Sequence, residues 1–519
     1  MNFPDHLSAV LDNDAEGSFN HAGLVKWNEE IESFLSDPSR SGLRFSSQET
    51  KGGEVKETIE KVSCVLHSEF LDAIHKVESR SEDPSEVELE EMARAVKANY
   101  LEANEDVNLQ KLFDTIRASK NLLRWYIQIF LEQEGRVVPS PIRRLQSPAI
   151  IELLVTILMQ NNNDVTETHR DLCRNISLYL FYATYSPFRD DQLSQKVLAH
   201  LMSDLKYTEV VLRLLTQPCT AALALSLVRG IHNAIVSMQG ASRIVNTTKL
   251  AWDPVDSPVA PWAPKVRCFV TFQSTCVDAI RWAFQTEPSF PGDDEDKRSE
   301  LVTEILGAFY ALRAGQKLDS SRGDPSLLQV VVDSLRLSQK DNRILQCKLA
   351  TISLLMDADP TFGSYLIEHE ALTPLLDILE IQTTDVLENT RVDHSATAAL
   401  VPILVVLNKF ACANNNFRRY VKCFVFPEDA EDVFQERVRS QRLSRGSKNM
   451  APLDAPKGTL RWKLASLLTW MESHIKRCTA ELLWTLSSSD PTEYVYRVGL
   501  GNAFPLLSAK GFAQMPSQS

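Results

Sequence analysis

The sequence is short of the features that announce catalysis or a membrane span. Its 519 residues hold no H-E-x-x-H, no G-x-S-x-G, no G-x-x-x-x-G-K-[ST] and no clustered Cys/His spacing. The metalloprotease, serine-hydrolase, P-loop and zinc-site readings therefore have no sequence support, and neither an enzyme nor a cofactor or metal site is expected. No window reaches about eighteen consecutive apolar residues, the length a spanning helix needs. Cysteine is scattered: Cys64, Cys173, Cys219, Cys268, Cys276, Cys347, Cys412, Cys423 and Cys478 form no C-x-x-C pair. An odd number of dispersed cysteines fits buried thiols in a reducing compartment, so the sequons at Asn175 and Asn246 are expected to be unused. The start, "MNFPDHLSAVLDNDAEGS", lacks the basic-then-apolar layout of a signal peptide. A cytoplasmic protein is expected. The net charge of -13 argues against broad attraction to nucleic acid or anionic lipid and suits basic or amphipathic partners.

What is present is helix. Hydrophobic residues make up 44% of the chain, enough for a large core, and 519 residues exceed one ordinary core. "SPAIIELLVTILMQNNND" offers Ser147 as N-cap and Pro148 at the first helical position, with Ile150, Ile151, Leu154, Ile157 and Leu158 on one face. "THRDLCRNISLYLFYATYS", "YTEVVLRLLTQP", "TAALALSLVRGIHNAIVSMQG" and "LVTEILGAFYALRAG" follow the same pattern. No convincing strand pairs are found. Residues 344–382 read as a long helix, a turn, a short helix ending near His369 and another through Leu379; residues 396–429 repeat the order with an Asn-rich turn. A period of roughly 40 residues with two or three helices per unit is the armadillo/HEAT range. The predicted fold is all-α, an armadillo/HEAT-like superhelix with a concave groove; a non-repetitive bundle is the alternative.

The expected organisation is a repeat array over 1–430, a basic loop over 431–458, C-terminal helical repeats over 459–512 and a short tail, 513–519. Two segments interrupt the array: a Pro-rich stretch, 251–264, read as a long loop because its prolines forbid continuous helix, and an acidic surface loop, 287–300. Between 437 and 463, Arg437, Arg439, Arg442, Arg445, Lys448, Lys457, Arg461 and Lys463 face Asp454 alone. This is a flexible solvated loop or a docking and regulatory one, in which phosphate on Ser440 would reduce the local positive charge.

In a solenoid the last helix of each repeat lines the groove, and polar residues in those helices are the binding candidates. Asn175, Arg229, Asn233, Lys348, Asn408 and Lys409 stand at such places, with Arg418 and Arg419 on a following basic helix. Asn amides can pair with a peptide backbone, and Lys or Arg can hold acidic side chains or a C-terminal carboxylate. Each residue alone reads first as a satisfied polar group or a solvated charge; the set carries more weight than any member. His232 reads as a core or groove residue rather than a base.

"RVGLGNAFPLLSAKG", 497–511, carries a G-x-G spacing that could cradle phosphate. A helix precedes it where the dinucleotide fold needs a strand, so Gly499 reads as a helix stop and Gly501–Asn502 as the start of the next helix. Upstream, Leu460, Leu464, Leu467, Leu468 and Met471 form one helix face, Ser473 is expected to cap a second helix, and Pro491 to open a third. The segments "TLRWKLASLLTW" (459–470), "IKRCTAELLWTL" (475–486) and "YRVGLGNAFPLLSAKG" (496–511) resemble, in order and spacing, the signature block of the Ric-8 (synembryn) family. Residues 400–429 resemble the preceding repeat of that family, "LVKWNEEIESF" near the N-terminus is a fainter echo, and "PLDAPKGTLRW" (452–462) is similar to a lead-in found in its fungal-type members. Gly499, Gly501, Asn502 and Gly511 match the signature glycines and asparagine, while Val498 and Leu500 depart from its Thr and aromatic.

The resemblance implies an armadillo-like protein that binds heterotrimeric G-protein α subunits, GDP-bound or nucleotide-free, as folding chaperone and receptor-independent exchange factor. Its groove would capture the C-terminal helix of Gα. It also implies a monomer with no nucleic-acid partner, reaching the cell cortex or plasma membrane through Gα. Animal members continue into a long acidic, phosphorylatable tail; with the sequence ending at Ser519, chaperone or binding activity is expected ahead of robust exchange. A general armadillo scaffold for linear peptides is the alternative, although the regular Trp/Asn ladder of the importin type is missing.

Overall fold

In the computed structural model of the chain the described residues are 113, 116–121, 123–124, 145–160, 167–185, 192–253, 259–284, 295–313, 325–337, 342–388, 394–426 and 457–512. Ser440, most of the basic loop and the 513–519 tail lie outside them. Two compact units divide the chain, Met1–Leu312 and Arg313–Ser519.

The first unit holds α1 (Pro148–Gln160), α2 (Glu167–Thr184), α3 (Gln192–Ala199) running into a π turn (His200–Asp204), α4 (Tyr207–Thr216), α5 (Ala221–Ser237), α6 (Ala241–Thr247), strands β1 (Leu250–Trp252) and β2 (Cys268–Val270), α7 (Phe272–Ala283) and α8 (Glu295–Leu312). The helix starts follow local chemistry. Ser147 Oγ accepts from Ile150 N–H at 3.3 Å, Thr220 Oγ1 from Leu223 N–H at 3.3 Å, and Thr271 and Ser274 form a capping box. Every third helix meets its counterpart: α2 packs on α5 and α5 on α8, while α4 lies between α1 and α7. Such neighbour-to-neighbour stacking is how units that cannot bury an apolar face alone build a continuous core.

The second unit repeats this order with α9 (Pro325–Arg336), α10 (Asn342–Met356), α11 (Phe362–Glu368), α12 (Leu372–Glu388), α13 (His394–Ala413), α14 (Asn415–Val425), α15 (Leu460–Leu467), α16 (Ser473–Leu486), α17 (Pro491–Val498) and α18 (Leu500–Ala509). Here α10 packs on α13 and α13 on α16, with α12 touching both α9 and α15. Phe362, Phe410, Phe417, Leu404 and Leu407 are fully buried, each contributing about 1.5–3 kcal/mol by leaving water. Gly363 permits the close approach, since a Cβ there would lie 3.2 Å from Phe410 Cβ.

The all-α, repeat-built prediction stands, with corrections in its details. The ladder helices start at Glu167, Ala221 and Glu295, and at Asn342, His394 and Ser473, so the spacing exceeds 40 residues where other segments intervene. A short antiparallel pair, β1 with β2, exists where no strands were expected. Within the Pro-rich stretch Trp262 Nε1–H donates to Leu215 O at 2.8 Å and Ala260 N–H to Thr216 O at 3.1 Å, satisfying carbonyls left open at the end of α4. The acidic stretch is helical from Glu295, with Arg298 buried. Finally, α12 runs on to Glu388, and α16 begins with Ser473 inside it and Glu472 as a cap without a side-chain bond.

Candidate functional site

In the first unit the α2–α5–α8 ladder carries one polar face. Helical spacing puts Arg229, His232 and Val236 along one stripe of α5, opposite Glu300 and Glu304 on α8. His232 Nδ1–H donates to Glu304 Oε1 at 2.6 Å, Arg229 Nε donates to Glu304 Oε2 at 3.4 Å, and Arg229 Nη2 lies 3.5 Å from Glu300 Oε2. Gly307 makes room for the imidazole, since a Cβ there would sit 3.1 Å from His232 Cε1. Burial would raise the Glu304 carboxyl, but the hydrogen bond and charge of His232, together with the Arg229 guanidinium, outweigh it and hold the group below the usual carboxylate range. Beside the network, Phe181 packs on Tyr182 at 5.0 Å and Tyr185 at 5.3 Å. Burial raises the Tyr182 phenol, against the opposing charges of Arg124 and Arg229.

The two asparagines assigned to this face are already bonded. Asn175 accepts from Lys120 Nζ at 2.9 Å and donates to Asp171 O at 2.8 Å. Asn233 is buried, donating to Thr184 Oγ1 at 3.0 Å and accepting from Ser237 Oγ at 3.3 Å. It ties α5 to α2.

In the second unit Asn408 accepts from Thr485 Oγ1 at 2.7 Å, joining α13 to α16, with Cys412 Sγ 3.4 Å from the same hydroxyl. Lys409 Nζ donates to Met356 O at 2.8 Å, closing the C-terminus of α10 with a cation on its negative dipole end. Lys348 is only 4% exposed; burial lowers its pKa, with Asp377 acting the other way. Arg418 and Arg419 lie on α14, which flanks the ladder, and Arg418 Nη2 donates to Asn415 Oδ1 at 2.7 Å. The candidates therefore separate. Asn175, Arg229 and Asn233 belong to the first unit and the other five to the second. Only Arg229, Asn175 and Asn408 are both on a ladder helix and part-exposed without serving as a helix cap.

The C-terminal block explains its glycines. Gly499 has φ +85 and ψ 148, a conformation essentially closed to side chains, and ends α17 while starting α18. Asn502 Nδ2 donates to Val498 O at 2.9 Å. Gly511, at φ +79, ends α18 in a left-handed turn in which Phe512 N–H reaches Leu507 O at 2.8 Å. Gly501 has open space around its Cα. Asp490 accepts from Thr492 N–H at 2.8 Å, with Pro491 at the first helical position. Among the described residues of this block no phosphate-cradling strand–loop–helix is formed.

One cluster escaped the sequence reading. Glu493 Oε1 accepts from Arg497 Nε at 3.2 Å and Nη2 at 3.1 Å, and Lys422 Nζ lies 3.0 Å away, all three side chains being buried. Arg497 stacks 4.4 Å over the Phe426 ring. The Glu493–Arg497 spacing on α17 was visible as an i,i+4 pair; the partner on α14, 71 residues earlier, was not.

Residues 279–519 match the family model described as guanine nucleotide exchange factor synembryn, Ric8. Through that region the chain is similar to the Ric-8 family. It is similar to the protein named Chaperone Ric-8A of Gallus gallus, 29% identical over 147 residues, which are 28% of this chain and 22% of that one. The Bos taurus protein of that name is 27% identical over 160 residues, 31% and 26%, and the Xenopus tropicalis one 28% over 118, 23% and 19%. The matched segment thus spans about a quarter or less of these relatives' length. A solved engineered protein aligns along 94% of this chain and 99% of its own at 11% identity, with a TM-score of 0.35, too weak a likeness to bear on the fold.

Proposed function

We propose that the chain binds heterotrimeric G-protein α subunits, acting as a folding chaperone and as a receptor-independent guanine nucleotide exchange factor. The observation that carries this reading is the Ric-8 match over 279–519, which contains the block around Gly499, Gly501, Asn502 and Gly511. Exchange of this kind needs no covalent step. A protein that holds nucleotide-free Gα more tightly than the GDP-bound form accelerates GDP release by that difference in binding energy. The ladder face of the first unit, at Arg229 and the Tyr182 aromatic group, is the proposed contact that captures the C-terminal helix of Gα; Asn408 on the ladder of the second unit is a separate candidate contact. For Arg229 this requires a ligand carboxylate to compete with Glu300 and Glu304. The chain is proposed to act as a cytoplasmic monomer that reaches the cell cortex with its Gα partner.

The test is a pull-down of nucleotide-depleted Gα from the same organism by the purified full chain, joined to a GDP-release assay. A stable complex and faster release support the reading. Failure of both with every Gα tried sinks it. Titration of a peptide matching the Gα C-terminus against Arg229→Glu tests the face separately: unchanged affinity removes Arg229 from the contact and leaves the Gα assignment standing.

A further inference from the structure

The outer side of the β1–β2 hairpin takes no part in the ladder faces. Its register pairs Leu250 with Val270, Ala251 with Phe269 and Trp252 with Cys268. Side chains alternate along strands, so Ala251 and Phe269 share one side, and Leu250, Trp252 and Val270 the other. The inner side is held: Val270 is buried, Trp252 Nε1–H donates to Pro264 O at 2.9 Å, and β1 packs on α4. On the outer side Phe269 is 72% exposed, and Val266, at the bend before β2, is 66% exposed.

Three exposed cations flank these segments: Lys249 directly before β1, and Lys265 and Arg267 on either side of Val266. Arg267 Nε lies 3.3 Å from Asp253, which continues the register opposite it. An ion pair this exposed is weak and leaves the guanidinium able to meet other anions. A single exposed apolar side chain needs no explanation. Here two lie within four residues of each other, with Lys265 and Arg267 on either side of Val266, in a protein of net charge -13, and the connection between the strands is fixed by Trp262 at the end of α4.

Two protruding apolar side chains bury too little area for a protein interface of ordinary size. A lipid interface asks for less: shallow apolar insertion, with Lys and Arg at the level of anionic headgroups. Repulsion from the distant acidic surface is screened within about 8 Å at physiological salt, so the local patch governs contact. We infer that the β1–β2 hairpin docks the protein on anionic membrane surfaces, with Phe269 and Val266 entering the interface and Lys249, Lys265 and Arg267 facing the lipid anions. This does not depend on the Gα reading.

The experiment is co-sedimentation of the purified full chain, without Gα, with vesicles of phosphatidylcholine alone or in equal parts with phosphatidylserine. Wild type is expected to partition onto the phosphatidylserine vesicles at least about tenfold better, given roughly a fivefold gain per cation near an anionic surface. Phe269→Ser combined with Val266→Ser is expected to reduce that binding several-fold. Lys249→Glu combined with Lys265→Glu is expected to remove the preference for phosphatidylserine. These side chains are exposed, so thermal melts should match wild type; the charge variant carries the test if the serine variant does not fold. The inference is overturned if wild type ignores phosphatidylserine vesicles, or if both variants sediment as wild type does. It is also overturned if Phe269→Ser weakens Gα capture while lipid binding is unchanged, since the hairpin would then be a protein contact.

Discussion

In the first unit the exposed face of the ladder closes its charges on itself, with Arg229 and His232 on α5 held by Glu300 and Glu304 on α8. In the second unit charge is placed inside: Lys422, Glu493 and Arg497 are buried together, and Lys409 ends α10. The two ladders thus use polar residues in different ways. A half-exposed network costs little to open and can exchange partners with a ligand. A buried one cannot, because any member left alone stays uncompensated in low dielectric. The first arrangement is the one proposed for recognition, and the second fixes how α14 and α17 meet.

The sharpest way to break this contrast is Glu493→Ala. It strands Lys422 and Arg497 without their carboxylate and is expected to cost about 3–5 kcal/mol, read as an early unfolding transition of the second unit in denaturant while the first unit unfolds as before. A loss below that of Glu304→Gln would contradict the account. Next comes Gly499→Ala, expected to destabilise by about 1–3 kcal/mol because its backbone angles exclude a Cβ; wild-type stability would show that α17 and α18 can meet in another way.

Smaller still is Glu304→Gln, expected to cost about 1 kcal/mol for part-exposed pairs. Its sign in pH follows from the lowered carboxyl. The contribution is present above the ordinary carboxylate pKa and is lost as pH falls through the depressed folded value. Comparing acid melts of wild type and Glu304→Gln should show the difference shrinking in that direction; a difference growing on acidification would refute it. The smallest effect belongs to Gly501→Ala. With open space and helical backbone it is expected to be neutral or to stabilise by less than about 1 kcal/mol. The two glycines of one G-x-G therefore separate in a single pair of melts.

The sequence was legible wherever a signal is local. Ser147, the Asp490–Pro491 pair and Gly499 mark helix ends through bonds to residues a few positions away, and apolar spacing marks the faces that stack. It was opaque where the partner is distant in sequence. Trp262 reaches Leu215, Lys422 reaches Glu493, and Asn233 reaches Thr184, none of which periodicity can anticipate. The candidate site suffers most. A polar residue in an apolar helix has the same signature whether it waits for a ligand, as Arg229 is proposed to, or ties two helices together, as Asn233 does.

The claim that these ladder faces serve a G-protein α subunit is tested most directly by the rate of GDP release from purified Gα with the full chain added. The account predicts faster release, together with a stable complex once nucleotide is removed. An unchanged rate and no complex, across every Gα of the same organism, would contradict it.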